Sequence, residues 1–489
     1  MTTNLNQLSL YENLSEPFAY KLGFAIKNNA IKRNELLHKY SDKLVVTPEL
    51  NRSLVSFQAN KTMPFYRWFK YREGFSNELV RHFLRKYSKP LPARILDPFA
   101  GGGTTLTTAT KEGWEATGIE LLPVGTSVIK ARLKADTVDI EKFRNHFDRL
   151  LSWSFDIDDN EIEAFRFRHV KITGKAFSAK TEKELAAYLY FVSTIDDEDV
   201  RYLFWFASFA ILEEISFTRK DGQYLRWDNR SERNLKATFN KGVIYDFRPT
   251  VIDKLHQIIQ DIEGRNGGSF SQHAEVISGS CLSELPNLPS NNFDMVMTSP
   301  PYCNRYDYTR TYALELAFLG NGEAEIKNLR QTLLSATVEN KTKRSWLAEQ
   351  YRELNREDDF NKIDQIFSNQ EALQEVLRLL YQARDRKELN NNNIPNLVEN
   401  YFYEMCFVIY ELSRVLAPNG HVIMVNDNVQ YIGEEVPVDL ILSDFAEMSG
   451  LTVEKICVLP RGKGNSSQQM GIHGRTELRK CVYIWSKPN

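Results

Sequence analysis

Residues 93–120 constrain the fold more than any other stretch of the chain. Ala93 to Leu96 is a short apolar run that reads as a strand, and it enters Asp97-Pro98-Phe99-Ala100-Gly101-Gly102-Gly103-Thr104-Thr105. A helical run continues through Thr110, Gly113 ends it, and Ala116 to Ile119 reads as a second strand finishing at Glu120. Strand, glycine loop, helix, strand and acidic residue make up half of a doubly wound α/β fold. Consecutive glycines let the backbone approach a ligand closely, and the following helix offers unpaired N–H groups to a carboxylate or phosphate. A carboxylate at Glu120 can accept both hydroxyls of a ribose, so the spacing suits a nucleoside-containing cofactor. No Gly-Lys-Ser/Thr follows the glycines, which sets aside a phosphate-binding P-loop. On its own the pattern also fits a glycine-rich turn beside a surface glutamate, the less favoured reading.

A second motif changes that balance. Thr298-Ser299-Pro300-Pro301-Tyr302 follows the apolar strand Phe293 to Met297, at the edge where open α/β sheets place reactive groups. Two prolines fix the backbone direction and remove two N–H donors, leaving carbonyls outward. An exocyclic amine is a poor nucleophile because its lone pair is delocalised into the ring. Acceptors at the Ser299 hydroxyl and the Pro300 carbonyl could hold its two N–H bonds and favour a pyramidal nitrogen. Tyr302 could stack on a base drawn out of the duplex, as enzymes acting on bases require. A lone Pro-Pro-Tyr is more often a rigid turn with a packed tyrosine; the glycine loop upstream is what favours the chemical reading.

Together, Asp97 to Thr105 and Thr298 to Tyr302 resemble the amino-methyltransferase family of DNA modification enzymes, which form N4-methylcytosine or N6-methyladenine. The resemblance implies S-adenosyl-L-methionine as cofactor, double-stranded DNA as substrate and, as a separate chain, a cognate restriction endonuclease. It implies an α/β, Rossmann-like methyltransferase fold with a seven-stranded mixed sheet, interrupted here by two large, mainly helical insertions. Asp97, Phe99 and Gly101 would line the methionine end of the cofactor and Glu120 its ribose, with Pro98, Ala100, Gly103, Thr104 and Thr105 completing the loop. Phe75 and Ser76 are similar to the family's separate motif for the methionine moiety. Ser280 or Cys281 stands where many members carry an Asp beside the adenine ring. Ser299, Pro300, Pro301 and Tyr302 would form the catalytic loop. The serine form of that loop is associated in the family chiefly with cytosine N4, the Asp and Asn forms with adenine N6. Cytosine N4 is therefore the expected target and adenine N6 the alternative.

Other activities fit less well. C5-cytosine chemistry needs a nucleophilic cysteine, placed in that family directly after proline, and none of Cys281, Cys303, Cys406, Cys457 and Cys481 follows one. RNA methyltransferases acting on guanine N2 use a related loop, usually with Asp before the prolines and an added RNA-binding module; neither is present. A catalytically silent DNA-binding relative would show a broken glycine loop or a lost Ser-Pro-Pro-Tyr, and both are intact.

The resemblance covers 61–139, 271–305 and 397–489. The expected plan is an N-terminal segment at 1–60, catalytic segments at those three ranges, and insertions at 140–270 and 306–396. The first insertion, with Arg219, Lys220, Arg226, Trp227, Arg230 and Arg233 around a turn, is the candidate for reading bases. The second, with Lys341, Lys343 and Arg344, is expected to clamp or cover DNA. A formal net charge of -2 gives no global pull toward DNA, so contacts must come from local patches. Asn304, Arg305, Asp307, Tyr308 and Arg310 could frame a flipped base or simply begin a solvated helix. The loop Arg461 to Ser467, with Arg475 and Arg479, could contact the DNA backbone or form a surface hairpin. Asp427, at the end of another strand, could support the site or be a turn carboxylate. No C-x-x-C pair occurs, which argues against a zinc site or a disulfide framework. No signal peptide is recognisable, and the apolar stretch Tyr202 to Leu212 is about half of the ~20 residues a membrane helix needs. A cytoplasmic location without membrane association is expected.

Overall fold

The computed structural model describes residues 30–221, 224–233, 238–265, 273–460 and 478–489. The chain divides into two compact units. The glycine-loop unit holds Ser56–Ser280 and Tyr306–Leu333; the proline-loop unit holds Cys281–Arg305 and Leu334–Asn489, together with 30–55. Eight principal strands run in chain order as β1 (Leu44–Val46), β2 (Arg94–Asp97), β3 (Glu115–Glu120), β4 (Ala274–Ser278), β5 (Phe293–Thr298), β6 (Leu416–Asp427), β7 (Thr452–Val458) and β8 (Lys480–Ser486).

In the glycine-loop unit β2, β3 and β4 pair in parallel, with Asp97 opposite Gly118 and Glu120 opposite Ser278. Parallel neighbours need crossover connections, and helix α2 (Thr104–Lys111) supplies the one from β2 to β3. Before them lies α1 (Asn77–Lys86), capped by the Ser76 hydroxyl, which accepts the Leu79 N–H at 3.2 Å. Its Leu79, Val80, Phe83 and Leu84 are buried, as their spacing predicts. Helix α3 (Pro123–Lys134) follows β3, with proline at its first turn. Helix α4 (Phe247–Glu263) closes the first insertion. Val124, Val128 and Ala131 of α3 share one hydrophobic cluster with Leu185, Phe204, Phe206, Leu255 and Ile258 of residues 140–270. Helix α3 and the first insertion are therefore built around a common core.

The proline-loop unit contains a five-stranded mixed sheet in the order β1-β7-β8-β6-β5. β8 runs antiparallel to both β7 and β6, whereas β6 pairs in parallel with β5 and β1 with β7. Helices α5 (Ile394–Val415) and α6 (Val438–Met448) are buried along most of their length, which explains their near-continuous apolar character. The fold is α/β and Rossmann-like, with eight strands where the resemblance implies seven. The addition is β1, whose Leu44 lies opposite Ile456, from the N-terminal segment in which the sequence showed helical patches but no strand. Three residues of edge strand carry too short an alternation to be read from sequence. Among the described residues no helix is long and apolar enough to cross a membrane.

Candidate active site

The glycine loop is held by its own first residue. Asp97 is buried at the end of β2; one carboxylate oxygen accepts the Phe99 N–H at 3.1 Å and the other the Thr105 hydroxyl at 2.7 Å. The Ala100 N–H bonds the Ile119 carbonyl of β3 at 3.0 Å. Gly101 and Gly103 adopt φ of 53° and 73°, in the left-handed region that glycine enters without penalty. A β-carbon at Gly101 would stand 2.9 Å from Cε1 of Tyr71, and one at Gly103 only 2.6 Å from Cγ1 of Ile129. Tyr71, which no sequence pattern singled out, thus backs the loop, with its ring stacked on Tyr312 at 5.4 Å.

Glu120 ends β3 directly beside this loop. Its two oxygens accept the N–H groups of Gly101 and Leu122, each at 2.6 Å. The side chain is buried, and burial outweighs those N–H donors, pushing its pKa up to about 8. Once ionised, the carboxylate has lone pairs beyond those taken by these donors, so ribose hydroxyls can still be accepted. The glycine cradle and this half-used carboxylate fit a nucleoside cofactor. On the next strand the Gly279 N–H bonds the Glu120 carbonyl at 3.1 Å, which brings buried Ser280 to the end of the same edge. Phe75 is buried and its carbonyl accepts the Asn60 side-chain amide at 3.1 Å, while Asn60 also accepts the Asn77 N–H at 3.0 Å. Ser76 between them is the cap of α1. Pro98 and Ala100 are buried within the loop, Phe99 and Thr104 are partly open, and Thr105 is closed onto Asp97.

In the proline-loop unit Ser299 follows β5, and its hydroxyl donates to the Val425 carbonyl of β6 at 3.1 Å while lying 3.3 Å from the Tyr302 hydroxyl. Register explains the first contact, because Thr298 pairs with Met424. Pro300 and Pro301 are buried and Tyr302 is half-buried. The Asn304 N–H turns back to the Tyr302 carbonyl at 2.7 Å, and Tyr431 donates to the Cys303 carbonyl at 2.7 Å. Lys480, the first residue of β8, lies opposite Asp427 at the end of β6. Its ammonium stands 3.2 Å from the Asp427 carboxylate and 5.3 Å from the centre of the Tyr302 ring. Burial lowers the Lys480 pKa, but Asp427 and Tyr302 outweigh it, and the net shift is upward, so the cation persists. Burial likewise raises the Tyr302 phenol, against an opposing pull from Lys480. Asp427 is thus linked to the Pro-Pro-Tyr loop through Lys480, which the sequence did not single out. Cys303 next to the loop is buried and its thiol pKa is pushed up, which makes it no thiolate nucleophile. Cys281 is buried at the start of the short helix Cys281–Glu284.

The candidate DNA-contact residues are mostly engaged within the protein. Trp227 is buried with the Arg233 guanidinium over its ring at 4.3 Å, and Arg230 grips buried Asp228 at 2.7 and 2.9 Å. Lys220 forms a buried ion pair with Glu315 at 2.6 Å. Arg219 and Arg226 keep exposed side chains, Arg226 lying over Phe239. Asp307 caps the helix Tyr308–Thr311 and pairs with Arg310 and Arg330, and the Tyr308 ring rests on Tyr306 at 4.8 Å. Arg305 takes a positive φ of 66°. Lys343 is drawn to Glu404 and Arg344 to Asp364. Arg479 is buried against Asp439 at 2.6 Å, so it is a structural cation and not a surface contact to DNA. Residues 461–477, including Arg475, lie outside the described residues.

An α/β chain with a glycine loop closed onto a buried acidic residue, and with a Ser-Pro-Pro-Tyr turn at a parallel strand end, has the organisation of a Rossmann-like methyltransferase. Comparison with known proteins narrows the class. The chain is 45% identical over 463 residues to the type II methyltransferase M.AvaI of Nostoc sp. (strain PCC 7120), covering 93% of this chain and 92% of the relative. The M.AvaI protein of Anabaena variabilis matches equally. M.BsoBI of Geobacillus stearothermophilus, also a type II methyltransferase, is 39% identical over 478 residues, covering 94% and 92%. No family model matches the chain. The chain belongs to the type II methyltransferases, the site-specific DNA-modifying enzymes of restriction–modification systems.

Proposed function

We propose that this enzyme transfers a methyl group from S-adenosyl-L-methionine to the exocyclic amine of a base flipped out of duplex DNA, and that the base is cytosine, modified at N4. The observation that carries the reading is the state of Ser299. With its single hydroxyl proton given to the Val425 carbonyl and the Tyr302 hydroxyl 3.3 Å away donating to one lone pair, Oγ keeps one lone pair for a substrate. With the Pro300 carbonyl, it provides two acceptors for the two N–H bonds of an amine. S-adenosylmethionine supplies an electrophilic methyl group, so no covalent enzyme intermediate is required. Asp97 and Glu120 hold the glycine loop in shape, and Glu120 accepts the ribose hydroxyls. Tyr302, with one side against Lys480, stacks on the extruded base. Ser299 and Pro300 would restrain the amine while the nitrogen lone pair turns out of the ring plane; forming the N–methyl bond breaks the methyl–sulfur bond and leaves S-adenosylhomocysteine, and the surplus N–H proton, held in hydrogen bond by these two acceptors, would pass to solvent. These contacts are preorganised and strengthen as charge develops, which is how positioning becomes rate.

The serine form of the loop supports cytosine N4 over adenine N6. The exposed arginines of the first insertion, Arg219 and Arg226, remain the side chains there best placed to meet DNA, and a partner endonuclease and a cytoplasmic setting accompany this reading. Transfer of labelled methyl from S-adenosylmethionine to duplex DNA, with single-stranded DNA and RNA in parallel, tests it. Label in the duplex is expected; label confined to RNA would overturn the substrate.

A further inference from the structure

Two buried charged residues outside every motif converge on one short segment of the glycine-loop unit. Arg132, on α3, is 2% exposed, and among the described residues no carboxylate pairs with it. Its guanidinium donates instead to backbone carbonyls: that of Gly102 in the glycine loop, that of Phe65 at 3.2 Å and that of Tyr66 at 3.5 Å. The Tyr66 ring lies 5.1 Å from the guanidinium carbon. Burial without an anionic partner pulls the Arg132 pKa down to about 10, so the group stays charged at neutral pH. A buried cation is costly to keep on carbonyls alone.

Asp261, on α4, is buried on the other side of the same segment. It accepts the Phe65 N–H at 2.8 Å, the Trp68 indole N–H at 2.8 Å and the Arg67 guanidinium, whose Nε stands at 3.1 Å. Segment 65–68 thus gives the Phe65 N–H and the Arg67 and Trp68 side-chain donors to Asp261, and the Phe65 and Tyr66 carbonyls to Arg132. Phe65 takes a φ of 69°, a conformation that a residue with a β-carbon holds only when its surroundings over-determine it. The chain from α4 through 65–68 to the Gly102 carbonyl is continuous, polar and buried.

We propose that Arg132 and Asp261 are positioning residues for the cofactor, clamping segment 65–68 between helix α4 of the first insertion and the carbonyl of Gly102 so that the glycine loop is held ready for S-adenosylmethionine. The proposal rests on the cofactor reading above. The two side chains touch no reacting atom; they act through the backbone of the loop. Lysine at 132 keeps the charge but cannot reach three carbonyls at once, and asparagine at 261 keeps the shape but loses the charge that holds Arg67.

The test is calorimetric binding of S-adenosylhomocysteine to the full chain, for wild type, Arg132→Lys, Asp261→Asn and the double variant, alongside steady-state kinetics. Loss of one charge-assisted contact should weaken binding about tenfold in each single variant, with KM for S-adenosylmethionine rising in step. The value of kcat at saturating cofactor and KM for DNA should stay within about twofold. Because both residues act on one segment, the double variant should lose less than the product of the single losses. A lower Tm with unchanged S-adenosylhomocysteine affinity, or losses that multiply independently, would overturn the proposal. Should either variant fail to fold, Trp68→Phe removes only the indole donor to Asp261 and should still weaken binding about threefold; unchanged affinity there would overturn it too. Failure of the wild type to bind S-adenosylhomocysteine would instead overturn the cofactor reading itself.

Discussion

Glu120 and Tyr302 separate the two tasks of the enzyme at the level of single side chains. Glu120 has a pKa of about 8 in its buried setting, and ribose hydroxyls donating to it would favour the ionised form and lower that value. A proton must then leave as the cofactor binds, so affinity should fall as pH drops below about 8 and level off above it. Calorimetry in two buffers of different protonation heat checks this at pH 7; binding without proton release would remove Glu120 from the ribose. Glu120→Ala should weaken cofactor binding first, and unchanged affinity would count against the same role. Tyr302→Ala should leave cofactor affinity within about twofold and cut kcat/KM for DNA by about 10- to 100-fold, the value of one base stacked on an aromatic ring. Equal loss of both affinities would show that Tyr302 does not act on the base.

At the scale of elements, strand register decides which residues meet. Lys480 and Asp427 pair because β8 and β6 are antiparallel neighbours, and both side chains are largely buried. Lys480→Met leaves Asp427 without its cation and should destabilise the protein by roughly 1–3 kcal/mol, with lower activity through a loosened Tyr302; adding Asp427→Asn should recover much of the stability. Denaturant midpoints of the single and double variants measure it. Gly103 is constrained by geometry: an alanine there meets both a positive φ and Ile129, and should cost about 1–3 kcal/mol along with cofactor affinity. The glycine loop and the Ser-Pro-Pro-Tyr turn were legible in sequence because their chemistry is local, carried by consecutive residues with special backbone needs. Tyr71, Lys480, Arg132 and Asp261 were not, because each owes its role to a partner far along the chain. Arg479 looked like a DNA contact for the same reason: its partner Asp439 is 40 residues away in sequence.

Across the whole molecule, the α/β class followed from one strand–loop–helix–strand unit, while the eighth strand and the boundaries of the compact units did not. Residues 140–270 read as an interruption because they lack motif chemistry. Their apolar residues nevertheless complete the core against α3, so composition alone could not show that the insertion and α3 pack as one body. Basic residues of that insertion read as a DNA surface; in the structure Lys220, Arg230 and Arg233 also meet Glu315, Asp228 and Trp227, partners that composition could not show. The proposed reaction modifies one atom of one base, N4 of cytosine. Nucleoside mass spectrometry of duplex DNA methylated by the purified enzyme tests it most directly. N4-methylcytosine is the expected product; N6-methyladenine would contradict the assignment of the base, and the absence of any methylated nucleoside would contradict the proposed reaction.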